Sequence, residues 1–296
     1  MRTAFTGLKK GFIAAVALWG MATPLTAFSA SVWEVSKNGN TVYLGGTLHI
    51  LSPQDYPLPA EYDIAYKASG KVIFETDLDA LDTPDFTRKT LQLMTYQDGR
   101  TIKDDLSEET FSMLYDWLSE RGIPVAQVSK MKASFLGISL SMLEMQRAGL
   151  TSQGVDKYFF ARATEDQKPV GWFETPEQQL MMLAGLSEGD EDAYIRYTLE
   201  ELETMNDSLE PMKENWLTGD MQALYNDSME SFKTDYPEVY DEMLTNRNKA
   251  WLPHIEEYLT TPETEFVLVG TMHMAGAEGV IAMLESEGYS VIKVNK

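Results

Sequence analysis

The stretch Phe266-Val-Leu-Val-Gly270-Thr-Met-His273-Met-Ala-Gly276 decides how the fold is read. Four apolar residues closed by a glycine form the pattern of a core strand that turns sharply at its carboxyl end. The same phrase occurs earlier, as Thr41-Val-Tyr-Leu-Gly45-Gly46-Thr47-Leu48-His49-Ile50. Each copy is a strand, then Gly-Thr-x-His, then a large apolar residue. The chain has three histidines, and two of them occupy this frame. The repetition predicts that His49 and His273 share one site.

Working outward, Ser31–Ile50 reads as a hairpin turning at Asn38-Gly39. Pro53, Pro57 and Pro59 stiffen the loop that follows, and a short helix covers Ala60–Ala68. Lys71–Glu75 is a second strand, ending in a carboxylate. Asp77, Asp79, Asp82 and Asp85 lack the glycine and final glutamate of a calcium loop and read as a solvated turn. Ser107–Arg121 opens with a helix-start signature. Ile123–Val128 suits a short strand, and Met131–Ala148 is apolar nearly all round, as in a buried helix. A further helix begins at Gly154-Val155-Asp156 and turns Tyr158, Phe159 and Phe160 inward. Lys168–Phe173 is a third candidate core strand. It ends at Glu174-Thr175-Pro176-Glu177, where proline just inside a helix start marks a strand-to-helix turn. Residues 178–260 are helical almost throughout. A strand at Glu265–Gly270, a helix near Ala277–Glu287 and an edge strand at Ser290–Val294 finish the chain. The predicted class is α/β: a central mixed sheet from two related halves, flanked by helices, with a helical insertion at about 84–260.

At 296 residues the chain can bury one sizeable core, or two modest ones. Residues 1–29 read as an export signal: Arg2, Lys9 and Lys10, an apolar run at Gly11–Thr23, then small residues near Ala27. An uncleaved anchor is the alternative. The expected location is periplasmic or secreted, and the remainder, 30–296, is expected to be one domain. Cysteine is absent, which removes thiol chemistry and Cys-ligated metals. With 24 basic against 46 acidic residues, the net charge of −22 repels phosphate backbones, so nucleic acid is not an expected partner.

His49 and His273 each follow the carboxyl end of a predicted core strand, the edge where α/β sheets bind ligands. Glu75 also sits at a strand end, where a carboxylate among apolar residues needs a partner or a metal. Two imidazoles and a carboxylate form a three-ligand set that leaves a coordination position open, and zinc, manganese and cobalt all accept such donors. Glu75 as an ordinary ion-paired residue remains the alternative. Arg247, in a helix beside Trp251, could serve an oxyanion or a substrate carboxylate. Gly185-Leu-Ser187-Glu-Gly189 matches the nucleophile-elbow spelling but follows a helix, so it reads as a helix end. His254 stands in no repeated context and reads as structural. HExxH and P-loop motifs are absent.

Assembled in order, these residues resemble the TraB/GumN family, which is related to the Tiki proteins. The resemblance rests on Gly46–His49, Phe74-Glu75-Thr76, Gly154-Val155-Asp156, Glu174–Leu180, Gly219-Asp220, Arg247-Asn248 and the block Val269–Val280. It implies a site built from two Gly-x-x-His motifs and an acid, and in Tiki members a metal-dependent protease. Carried onto this chain, His49, Glu75 and His273 become metal ligands, with Glu75 also the general base. Arg247 becomes a transition-state contact. Glu174 and Asn248 become substrate-binding residues, Glu174 standing behind the ligands. The leading expectation is an exported metal-dependent hydrolase acting on a peptide or protein. The alternatives are a binding protein that sequesters a peptide, metal or haem-like ligand, and a metal-free esterase-like hydrolase with His49 as general base.

Overall fold

The computed structural model describes residues 29–295. The predicted export segment therefore lies outside the described residues, apart from Ser29. Six strands form one sheet: β1 (Val32–Lys37), β2 (Asn40–Thr47), β3 (Lys71–Thr76), β4 (Val170–Glu174), β5 (Glu265–Gly270) and β6 (Ser290–Lys293), in the order β4-β3-β5-β2-β1-β6. The first four in that order run parallel, and β1 and β6 are added antiparallel. The sheet is therefore mixed. The β1–β2 turn has positive φ at both Asn38 (55°) and Gly39 (90°), the geometry that a two-residue hairpin with this sequence adopts.

The helices that bear on the site are α1 (Ala60–Ala68), α2 (Glu108–Glu120), α3 (Ala133–Arg147), α4 (Val155–Glu165), α5 (Pro176–Gly185), α6 (Glu191–Thr218), α7 (Asn246–Tyr258) and α8 (Val280–Ser286). Alternation along β5 splits the core. Phe266 and Leu268 pack with Tyr62, Phe159 and Trp216 on the face covered by α1 and α4. Val267 and Val269 pack with Trp251, Ile255 and Leu284 on the face covered by α7 and α8. Helices α2, α3 and α6 enclose a further cluster around Leu114, Leu136 and Leu199. Trp216 ties α6 to the end of β2, its Nε1 donating to the Gly46 carbonyl at 2.8 Å.

Four local expectations are corrected. Residues 125–128 form a helical turn after Pro124, not a strand, since no strand lies alongside to pair with them. β4 is the sheet's edge, paired only with β3 and with no fully buried residue, so it is not a core strand. α3 buries a single stripe through Ala133, Leu136, Gly137, Leu140 and Glu144; Ile138 and Met142 face a cavity instead. Tyr158 remains 39% exposed while Phe159 beside it is fully buried, because successive helical positions point about 100° apart.

Candidate active site

All four parallel strands end at one rim, and each delivers a side chain there. β2 leads into His49, β3 carries Glu75, β4 ends on Glu174, and β5 leads through a single 3-10 turn (Thr271–Met274) to His273. The two repeated motifs lie on neighbouring strands, with Gly46 opposite Val269 and Thr47 opposite Gly270. Helix α7 supplies Arg247 and Asn248 immediately after a π-helical turn at Asp241–Thr245, an irregularity that helices often place at functional positions. Every site residue anticipated from the sequence reaches this rim.

Arg247 is the hub. Its guanidinium donates to Glu75 Oε2 at 2.7 Å, to Glu174 Oε1 and Oε2 at 2.8 and 2.9 Å, and to His273 Nε2 at 3.0 Å. Glu75 Oε1 accepts from the Gly270 amide at 2.6 Å, and Gln179 Nε2 donates to both Glu75 and Glu174 at 3.2 Å. Trp251 donates its Nε1 to Glu174 Oε1 at 3.0 Å and packs against the His273 ring.

Hydrogen bonds orient both imidazoles and fix the tautomer of His273. Asn248 Nδ2 donates to the Glu278 carbonyl at 2.8 Å, so its Oδ1 faces His273 Nδ1, 2.6 Å away. An amide oxygen only accepts, so Nδ1 carries the proton and Nε2 presents a lone pair to the site. His49 Nδ1 likewise donates to Asp156 Oδ2 at 2.8 Å, and Thr47 Oγ1 donates to the other Asp156 oxygen at 2.9 Å. A carbon attached to Gly270 would stand 3.2 Å from Glu75 Oε1, 3.5 Å from His49 Nε2 and 3.6 Å from the His273 ring. Glycine at this position leaves a space of atomic size that the three side chains face.

Asp156 is the functional residue that sequence reasoning missed. It lies in the first turn of α4, 107 residues from His49, and no local pattern joins the two. Gly154-Val155-Asp156 was visible as a motif without a role. His254 is exposed on α7 near Phe173, on the wall of a cleft that Glu174, Gln179 and Arg247 also line, and shares no hydrogen bond with His49 or His273. Ser187 lies in the turn between α5 and α6, as expected for a helix end.

Charge is distributed unevenly. The Asp156 carboxylate pushes His49 up to about 9. The ring is 64% exposed, so water screens the pair and its contribution to stability is that of a surface salt bridge. Burial holds His273 neutral, down to about 3, with the cations of Arg247 and His49 acting in the same direction. Burial alone would raise Glu75, but His273, Arg247 and His49, with the Gly270 amide, bring it down to about 2. At neutral pH the site holds an ionised Glu75 and a neutral His273.

Two predictions arise here. Asp156→Asn keeps a hydrogen-bond acceptor but removes the charge, so the His49 ring should titrate well below 9, nearer its ordinary 6.5. Proton NMR of the ring, assigned with His49→Ala, measures this; an unmoved titration would show that Asp156 does not set it. For stability, the folded values of His273 (about 3 against 6.5) and Glu75 (about 2 against 4.5) are both depressed. The unfolded chain therefore binds more protons in acid, and stability falls as pH drops from 6.5 through these lower values. His49 is raised, so its smaller contribution is complete below 6.5 and is lost as pH rises through about 9. Urea midpoints of the protein and of His273→Gln should converge as pH falls from 6.5 to 3. A constant difference across that window would remove His273 from the account.

Sequence comparison places this architecture. The family model described as "TraB/PrgY/gumN family" matches residues 31–293, nearly all of the described chain. The chain belongs to that family. Among its relatives is the "Uncharacterized protein YbaP" of Escherichia coli (strain K12), 26% identical over 253 residues that make up 85% of this chain and 90% of the relative. The "Uncharacterized protein YbaP" of Shigella flexneri is 26% identical over 243 residues, 82% of this chain and 87% of the relative. No solved structure matches the chain.

Proposed function

We propose that this protein is an exported metal-dependent hydrolase that acts on a peptide or protein. One observation carries the reading: His49 Nε2 and Glu75 Oε1 lie 3.5 and 3.2 Å from the point where a Gly270 Cβ would stand, His273 Nε2 is 3.8 Å from the same Glu75 oxygen, and separate hydrogen bonds orient the Nδ1 side of each imidazole. Imidazoles oriented through the opposite nitrogen by a carboxylate or an amide are the pattern of metal ligands. Among the described residues these donors do not stand in closed coordination geometry. The Arg247 guanidinium instead places a positive group against His273 Nε2 and Glu75, the same acceptors that a cation would use. The donor set fits a divalent ion such as manganese, cobalt or zinc, held by His49, Glu75 and His273.

When bound, such an ion polarises a carbonyl and lowers the pKa of water. The chain's own residues supply the rest. Asp156 accepts from His49 Nδ1 and keeps Nε2 turned inward, where a bound ion would take the place of the Nε2 proton. Asn248 does the same for His273. Gln179 and the Gly270 amide fix Glu75, which accepts a proton if metal leaves one of its oxygens free. Arg247 lies where it can stabilise negative charge developing on a substrate oxygen. Glu174 orients Arg247 and borders a cleft of about 380 Å³ that also includes Gln179 and His254, a place for the polymer on one side of the cut bond.

A second reading, capture without turnover, draws on the saturation of Glu75: both its oxygens already accept hydrogen bonds, and its low pKa makes it a weak base. Export rests on residues 1–29 of the sequence; no helix among the described residues is long and apolar enough to cross a membrane. The test is elemental analysis of purified protein and of His49→Ala, together with a peptide-library digest in added manganese or cobalt. The expected result is metal in the parent protein, little in the variant, and cleavage that a chelator stops. Metal with intact, co-purifying peptides would establish the binder. Unchanged cleavage without metal would replace this reading with His49 acting as a general base.

A further inference from the structure

Behind the site, between α3, α5, α6 and the helical turns at 230–240, lies a cavity of about 530 Å³. Leu186, Tyr194, Leu202 and Phe232 line it, and Met243 forms the wall nearest the site, its carbonyl accepting from Arg247 Nη1 at 3.1 Å. None of His49, Glu75 and His273 lines it. The size falls within the range of small-molecule pockets, and the walls are largely apolar and aromatic.

Its electrostatics are one-sided. Glu188, Asp190 and Glu201 line the cavity, and no lysine, arginine or histidine does. The Tyr197 and Tyr236 rings meet there with centroids 4.7 Å apart. Burial pushes the Tyr197 hydroxyl up to about 12, with Glu201 and Asp235 adding to the rise. Tyr236 is raised in the same direction, by burial and then by Asp235, Glu200, Asp190 and Glu201. Both hydroxyls therefore sit in a field of carboxylates. Aromatic faces beside solvent-edge carboxylates with no lysine or arginine among the lining residues attract an organic cation, while the apolar walls take a chain or ring and reject a compact hydrated ion.

We propose that this cavity binds a small amphiphilic cation, with its apolar body among Leu186, Leu202 and Phe232 and its ammonium group beside Tyr197, Tyr236 and Glu201. The proposal does not depend on the hydrolase reading, because it uses none of the metal-site residues. Isothermal titration of the whole protein with decyltrimethylammonium and with decyl sulfate, both below their micelle concentrations, tests it. The expected result is one saturable site that takes the ammonium compound about tenfold more tightly than the sulfate. Glu201→Gln should weaken ammonium binding several-fold, and Ala193→Trp, which fills the cavity from α6, should abolish it. Circular dichroism checks that Ala193→Trp is folded, and Glu201→Gln, an exposed surface change, remains decisive if it is not. Equal binding of the two compounds, many weak sites, or affinity untouched by Glu201→Gln would overturn the proposal.

Discussion

Arg247→Ala is expected to destabilise the protein by about 3–5 kcal/mol, the cost of removing one partner from a buried ionic cluster. The guanidinium is only 13% exposed and balances Glu75 and Glu174, which are 10% and 13% exposed. Without it, two nearly buried carboxylates keep Gln179, Trp251 and the Gly270 amide as neutral donors but have no cation between them. One of the two should then take up a proton well above its ordinary range. The loss should therefore shrink in acid, where the variant takes up the proton that relieves its unpaired charge. Arg247→Lys should recover only part of it: one ammonium cannot span two carboxylates and the His273 nitrogen as the planar fork does. Adding Glu174→Gln to Arg247→Ala should restore stability by relieving the repulsion. Urea unfolding of these variants at pH 7 and pH 4 measures all of this. A loss below about 1 kcal/mol, or one independent of pH, would mean that the cluster is not held together by charge.

Gly154→Ala should abolish the site while leaving much of the sheet intact. A Cβ on residue 154 would lie 2.3 Å from both the carbonyl carbon and the oxygen of His49, and 2.4 Å from the Leu48 oxygen. These are backbone atoms and cannot rotate away as a side chain could. The start of α4 must therefore back off from the loop after β2, which stretches the bond from the Val155 amide to the Leu48 carbonyl, now 3.0 Å. Asp156 moves with the helix and leaves His49 and Thr47. The expected cost is about 1–3 kcal/mol for overpacking, with the His49 titration falling as it does in Asp156→Asn. Gly185→Ala is the control, because nothing lies within 4 Å of its added carbon inside α5. It should be neutral or stabilising by up to about 1 kcal/mol. If Gly154→Ala behaved like Gly185→Ala, the close approach of α4 to His49 would not be what positions Asp156.

Much of this arrangement is legible in the chain itself. Periodicity and the Asn38-Gly39 turn mark the strands, because a strand with a buried face must place apolar residues at the right parity wherever it pairs. The repeated Gly-Thr-x-His identifies both histidines, and a carboxylate closing the apolar run at Lys71–Glu75 identifies the acid. Where the reading failed, at 123–128 and at β4, local propensity was right about residue types but silent about neighbours. A strand needs a partner, and its depth in the sheet depends on what lies beyond it.

The sequence alone determined the class of fold, the turn chemistry, the acidic character and the residue types at the site, since each follows from spacing and composition within a few positions. Only the tertiary structure decided that Asp156 meets His49 Nδ1, that Arg247 bridges Glu75 and Glu174, and that an apolar cavity with an acidic edge lies beyond them. These are distance effects between residues separated by 73 to 172 positions. Coulomb energy and burial depend on separation in space, and chain order does not encode that separation until the sheet brings its four strand ends to one rim.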